Sequence, residues 1–176
     1  WKEARMPVAV GTGGKTVAFR GNLSASQTVA TTIWTKVNLD TASIDTDNAF
    51  ADGKFQPSVA GYYQVNGSVN QESSPPSTNT VSAIYKNGIS ESRGNNFQSD
   101  DGAYLSNVSD VIYLNGATDY LELWGYVKSS GTCTINSTIN STFLSAVLVS
   151  GGSASGGGGT TEVYGTAKVT GIIKSS

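Results

Sequence analysis

No stretch of eleven or more residues in this chain repeats apolar side chains at the i, i+3, i+4, i+7 spacing of an amphipathic helix. Its apolar content falls instead in short runs closed off by Gly, Asn, Asp or Ser. Eight of these read as strands: Thr16 to Gly21, Thr32 to Leu39, Gly53 to Gln56, Tyr62 to Asn70, Val81 to Tyr85, Val108 to Leu114, Tyr120 to Val127 and Phe143 to Val149. Composition points the same way. Gly, Ser, Thr and Asn supply 77 of 176 residues, and Leu numbers 8 against 25 for Val plus Ile, a mixture that starves helices and favours strands joined by turns. Eight or more short strands in one domain of this length imply an all-β double-sheet sandwich or a closed barrel, because both hide most strand edges. Asn87-Gly88 after Ala83-Ile84-Tyr85, and Asn115-Gly116 after Val111 to Leu114, predict tight reversals between antiparallel strands. Pro75-Pro76 forbids ladder pairing, so Glu72 to Asn79 is expected to be an exposed loop, and Arg93 to Asp101 a second one.

The same residues exclude much chemistry. Histidine is absent, which removes His-dependent triads, His general bases and imidazole metal ligands together. One cysteine, Cys133, closes no disulfide within the chain and is expected to be a small buried hydrophobe. A formal charge of −2 without a basic run argues against nucleic acid, and no apolar stretch approaches a membrane span, so no membrane insertion is expected. Gly11-Thr12-Gly13-Gly14-Lys15-Thr16 lacks the spacing and the strand-to-helix context of a phosphate loop. Asp45 with Asp47, Asp100 with Asp101, and Asp110 with Asp119 could offer oxygen ligands to calcium, but no Asp-x-Asp-x-Asp-Gly loop occurs; neither a metal nor a cofactor is expected. With no nucleophile-and-base signature, the chain reads as a non-enzyme. Five Asn-x-Ser/Thr sequons, at Asn22, Asn66, Asn107, Asn136 and Asn140, barely exceed the chance expectation at this Ser and Thr content.

Residues 1–15 read as a lead-in from something upstream, 16–150 as the domain, 151–159 as a Gly/Ser-rich flexible linker, and 160–176 as a strand-like segment suited to pairing with an edge or a neighbour. The first residue is Trp1 rather than Met, so a fragment or a processed product is expected and a missing signal peptide is uninformative.

From Val17 to Val149, about three quarters of the chain, the order of landmarks resembles the jelly-roll superfamily of the complement globular head and tumour necrosis factor. Val17-Ala18-Phe19-Arg20 resembles its opening strand, Phe50 with Gly53-Lys54-Phe55-Gln56-Pro57 its Phe then Gly-x-Phe-x-x-Pro segment, and Ala60 to Val65 its Gly-x-Tyr-x-Phe strand. Ile84 to Gly88 resembles its Lys-Asn-Gly hairpin, Leu114 to Leu123 its Leu-x-x-Gly-Asp-x-Val-x-Leu strand pair, and Ser141 to Leu148 its closing strand. Ala117 and Thr118 are extra between Gly116 and Asp119, and Ser145-Ala146 stands for Ser-Gly; both are loop-length or packing changes. The resemblance implies an antiparallel double-sheet jelly roll that forms a homotrimer.

The strand from Tyr120 to Val127 has apolar side chains on both parities, and a second apolar face calls for a cover. Tyr62, Tyr120, Trp124, Tyr126, Phe143 and Val147 are therefore the candidates for a trimer interface, while Trp34 reads as packing. Asn95, Asn96, Phe97 and Gln98, with Ser77 and Asn79 on the other loop, are the receptor-binding candidates: amides beside a ring suit sugars. Low charge, one Cys, no His and abundant Ser, Thr, Asn and Gly resemble the version of this domain at bacteriophage tail or head fibre tips. That resemblance implies a virion knob that contacts other virion structural proteins and binds a host cell-surface glycan or protein multivalently. The alternatives are a secreted, extracellular complement- or cytokine-like module, and a purely structural capsid or fibre decoration or trimerisation cap.

Overall fold

The computed structural model describes residues 15–74, 79–97 and 103–151. All but Lys15 of the expected lead-in, all but Gly151 of the linker, and the C-terminal segment lie outside the described residues. Among the described residues there are thirteen strands and no helix, and every pairing is antiparallel. The strands are β1 (Ala18–Asn22), β2 (Gln27–Val29), β3 (Thr35–Lys36), β4 (Thr41–Asp45), β5 (Phe50–Ala51), β6 (Lys54–Phe55), β7 (Gly61–Ser74), β8 (Asn79–Lys86), β9 (Ile89–Phe97), β10 (Ala103–Leu114), β11 (Leu121–Lys128), β12 (Thr132–Ile135) and β13 (Phe143–Gly151).

They form two sheets. The seven-stranded sheet runs β2-β12-β7-β13-β1-β4, with β10 along the other flank of β7; the six-stranded sheet runs β5-β6-β11-β8-β9, with β3 on β11. Strand β7 is the spine, because its 14 residues pair with β10 on one side and with β13 then β12 on the other. Facing residues of the two sheets interdigitate as alternation predicts: Phe19, Tyr63, Val65, Ile112, Leu121, Leu123, Leu144 and Ile135 are all buried. Phe19 stacks on Phe55 at 4.6 Å, Phe55 meets the Tyr63 ring edge-on at 5.8 Å, and the Tyr63 hydroxyl donates to the Val59 carbonyl at 2.7 Å.

Two hairpins take the turn that their sequences ask for. Asp52-Gly53 joins β5 to β6 and Asn87-Gly88 joins β8 to β9, both dipeptides at positive φ as a type I′ turn requires. Asn115-Gly116 departs from expectation: it carries the chain from β10 in one sheet to β11 in the other, and those strands do not pair. The Asn115 side chain instead accepts from the amides of Ala117, Thr118 and Asp119 at 2.9, 2.9 and 3.0 Å, closing an Asx-type turn.

Other expectations also need correction. Only Thr35–Lys36 of the run Thr32 to Leu39 is a strand, because Thr32 takes positive φ and the backbone touches β11 intermittently, through Thr32 N to Val127 O and Val37 N to Leu123 O. Arg93 to Asp101 is not a loop throughout: β9 continues to Phe97, a polar edge strand whose ladder with β8 outweighs its lack of apolar alternation. Glu72 to Ser74 likewise belongs to β7, while residues 75–78 lie outside the described set. Strands β2, β4, β5 and β12 have no counterpart among the eight expected runs; they are short or lie at an edge.

Candidate functional site

The outer face of the seven-stranded sheet alternates out of the core through Leu105, Asn107, Ser109, Val111 and Tyr113 on β10, the even residues of β7, and Ser145, Val147 and Val149 on β13. One end is roofed by the chain itself. The Ile139 carbonyl accepts from Arg20 Nη2 and from Asn22 Nδ2, each at 3.1 Å, and the Ser68 hydroxyl donates to the Ser141 carbonyl at 2.8 Å. The other end is bare. There Tyr62 (52% exposed), Tyr113 (46%), Val111 (52%), Val147 (46%) and Val149 (57%) form a contiguous apolar patch. The two tyrosines are direct cross-strand partners with rings edge-to-face at 5.3 Å, and Gln64 separates Val111 from Val147.

The outer face of the six-stranded sheet is aromatic but largely self-covered. Trp124 stacks on Tyr85 at 4.4 Å, and Trp34, arriving just before β3, lies against Tyr126 at 5.4 Å and Tyr85 at 6.2 Å. Glu122 is buried on this face beneath two donors, Lys36 Nζ at 2.9 Å and the Trp124 indole at 3.2 Å. Beyond this wall lies an open cleft of about 390 Å³, lined by Trp34, Tyr126, Val81, Asn79, Arg93, Gly94 and Asn96. Register explains its shape. Tyr126, Val81 and Asn96 form one cross-strand row, Trp124, Ala83 and Arg93 the next, so short side chains on β8 leave a trough between rings on one bank and polar groups on the other.

The structure divides the six interface candidates. Tyr62 and Val147 sit in the bare patch; Phe143 is on the same face, half-buried under the Arg20 guanidinium at 3.7 Å. Trp124 and Tyr126 are on the opposite sheet, where Tyr85 stacks on Trp124 and Trp34 lies tilted against one side of Tyr126, and Tyr120 lies beside the β8–β9 hairpin under the Lys54 ammonium at 4.2 Å. Val111 and Tyr113 went unnoticed, although their parity opposes that of Ile112 and Leu114, which was the available signal.

Of the receptor-binding candidates, Asn96 and Asn79 come together in the cleft, with Arg93 from the same expected contact loop as Asn96, and with Trp34 and Tyr126, which the sequence assigns to packing and to the trimer interface. Asn95 points elsewhere and is structural: its Oδ1 accepts from the Asn107 amide at 2.8 Å and its carbonyl from the Ser106 hydroxyl at 2.9 Å, stitching β9 to β10 where the two sheets meet. Ser77 and Gln98 lie outside the described residues, as does the Phe97 side chain.

The acidic residues weighed as calcium ligands serve the turns. Asp45 caps the Ala49 and Phe50 amides at 2.9 and 3.1 Å, and Asp110 accepts from the Ser92 hydroxyl and the Val111 amide. Asp47 accepts from Lys15 and from the Ser58 amide and hydroxyl; burial acts to raise its carboxyl, and these bonds outweigh it, leaving it below the ordinary carboxylate range. Asp100 and Asp101 lie outside the described residues. Among the described residues, no three acidic or cysteine side chains cluster as a cation site. Burial, and secondarily the charge of Asp47, pushes the Tyr63 phenol up to about 12, and burial pushes the Cys133 thiol up, so neither is a poised nucleophile.

No protein-family model matches the sequence, and no curated protein sequence matches it. Solved structures do. The chain is similar to murine APRIL at pH 5.0, with a TM-score of 0.60 at 11% identity over 77% of this chain and 100% of that one. It is similar to Eiger TNF from S. frugiperda (TM-score 0.57, 13% identity, 76% of this chain and 91% of that one) and to the globular domain of zebrafish complement 1qA protein (0.53, 14%, 76% and 97%). What these likenesses establish is the fold: this is a jelly roll of the kind shared by tumour necrosis factor and complement globular domains.

Proposed function

We propose that this chain is a trimeric, non-enzymatic recognition module, three copies closing on the bare end of the seven-stranded sheet. The observation that carries the reading is the patch of Tyr62, Tyr113, Val111, Val147 and Val149, the main cluster of large exposed apolar side chains among the described residues. A second copy is the natural cover, since a flat sheet face repeats itself around an axis, and the superfamily resemblance implies threefold closure. This packing turns the six-stranded sheet outward, so each trimer presents three identical outer faces.

Within that class we favour a bacteriophage tail or head fibre tip attaching to a host-surface glycan or protein. The sequons favour it over a secreted cellular module. Asn22 is buried and donates to Ile139, and Asn66 lies in the register row next to the patch that the other copies would cover, so two of the five positions are ill placed for a glycan. The free, buried Cys133 also suits folding in a reducing cytoplasm.

The test is a Val111→Asp/Tyr113→Asp double variant. Its charges replace side chains that face away from the core, so the fold should survive while trimers dissociate and binding to host cells falls with them. A variant that remains trimeric would contradict the interface. Deleting the domain separates the structural alternative: fibres that still trimerise but no longer adsorb indicate a receptor tip, and fibres that no longer assemble indicate a cap.

A further inference from the structure

The cleft beside Trp34 has a specific chemistry. On one bank the Trp34 and Tyr126 rings stand at 44° to each other, an angled apolar wall of the kind on which the C–H face of a sugar packs. On the other bank, Arg93 lies across the trough with its guanidinium 5.2 Å from the Trp34 ring centre. Among the described residues no carboxylate pairs with Arg93, and its one polar contact is a long one from Nε to the Ser90 hydroxyl, at 3.5 Å. No acidic side chain lines the cleft, and the nearby Glu122 is already neutralised by Lys36. Asn79 and Asn96 add two amides, each both donor and acceptor, and Asn79 Oδ1 is buried without a hydrogen-bond partner. Gly94 lines the cleft with backbone alone, and a Cβ there is barred by β10, since it would come within 2.0 Å of the Asn107 carbonyl oxygen.

We propose that this cleft binds an acidic sugar, a pyranose carrying a carboxylate. Its ring packs on Trp34 and Tyr126, its carboxylate meets Arg93, and its hydroxyls bond the amides of Asn79 and Asn96. The inference rests on the recognition reading above and names its ligand class. Each feature excludes a simpler occupant. A bare anion would use Arg93 and leave the rings and amides without partners, while a neutral sugar would leave the guanidinium unpaired. A space of about 390 Å³ is at the small end of ligand sites and admits a sugar residue more readily than a nucleic-acid strand or a folded partner. Planar guanidinium and carboxylate can pair through two parallel hydrogen bonds, which makes Arg93 the discriminating residue.

The test uses the whole chain in its native oligomeric state and two probes that differ only in the charged group: methyl galactosiduronate and methyl galactoside. Binding is followed by NMR at the Trp34 indole N–H, assigned by its loss in Trp34→Phe, with the Trp124 indole as a control for the intact fold. The uronate should bind at least about tenfold more tightly than the galactoside, and Arg93→Gln should remove that advantage. Asn96→Ala should weaken both probes. Equal binding of the two probes, an advantage undiminished in Arg93→Gln, or no response of Trp34 to the uronate or to N-acetylneuraminic acid would each overturn the proposal. The titration requires neither a trimer nor a host cell, so its failure leaves the threefold reading standing, and a monomeric mass leaves the cleft to be titrated.

Discussion

The Asp119 carboxylate accepts from the Asn87 side-chain amide at 2.7 Å, the Asn115 backbone amide at 3.1 Å and the Lys86 ammonium at 3.2 Å, tying the β10–β11 connection to the β8–β9 hairpin. Burial acts to raise this carboxyl, and the bonds from Asn87, Lys86 and Asn115 outweigh it, holding it below the ordinary range. Its folded value therefore lies below that of the unfolded chain, about 3.9. A depressed value stabilises fully above the unfolded one and is lost as the pH falls through the folded one. Asp47 obeys the same sign. Asp119→Asn should thus cost about 1–2 kcal/mol at neutral pH and flatten the loss of stability between about pH 5 and pH 2, measured by urea unfolding across that range. A cost that persists unchanged at the acid end would mean that the residue acts by packing rather than charge.

At the scale of elements, identical dipeptides do different work. Gly88 has φ +79° in an open hairpin whose nearest atom to an added Cβ is the Tyr120 hydroxyl at 3.6 Å; Gly116 has φ +69° and would drive a Cβ to 2.4 Å from the Ala60 amide nitrogen. Gly88→Ala should therefore cost about 1 kcal/mol, from backbone strain alone, and Gly116→Ala clearly more, because a backbone clash is added. Thermal unfolding of the two variants side by side checks the order, and equal losses would contradict it. The same pair shows why the fold was only partly legible. Asn-Gly announces a chain reversal at both places, but which strands the reversal joins depends on partners far along the chain. Strands β7, β8, β10, β11 and β13 were readable because burial on one face enforces alternation. The edge strands β4 and β9, sequences TASID and ISESRGNNF, bury too little to carry that signal, and backbone ladders alone decide them.

At the scale of the molecule, the two sheets resolve an ambiguity that parity alone leaves open. Apolar residues on the outward side of a strand call for a cover, but not for any particular one. On β11 that cover is Trp34 and Tyr85 of the same chain; on β7, β10 and β13 the described residues supply none at the Tyr62 end. The candidate cleft was half legible for the same reason: Asn79 and Asn96 belong to segments readable as polar, whereas Trp34 reaches them only through the fold. The central claim is that the bare patch joins three copies. Sedimentation equilibrium of the unmodified chain at micromolar concentration tests it most directly: a mass three times 18.2 kDa is the expected result, and a single species at 18.2 kDa would contradict it.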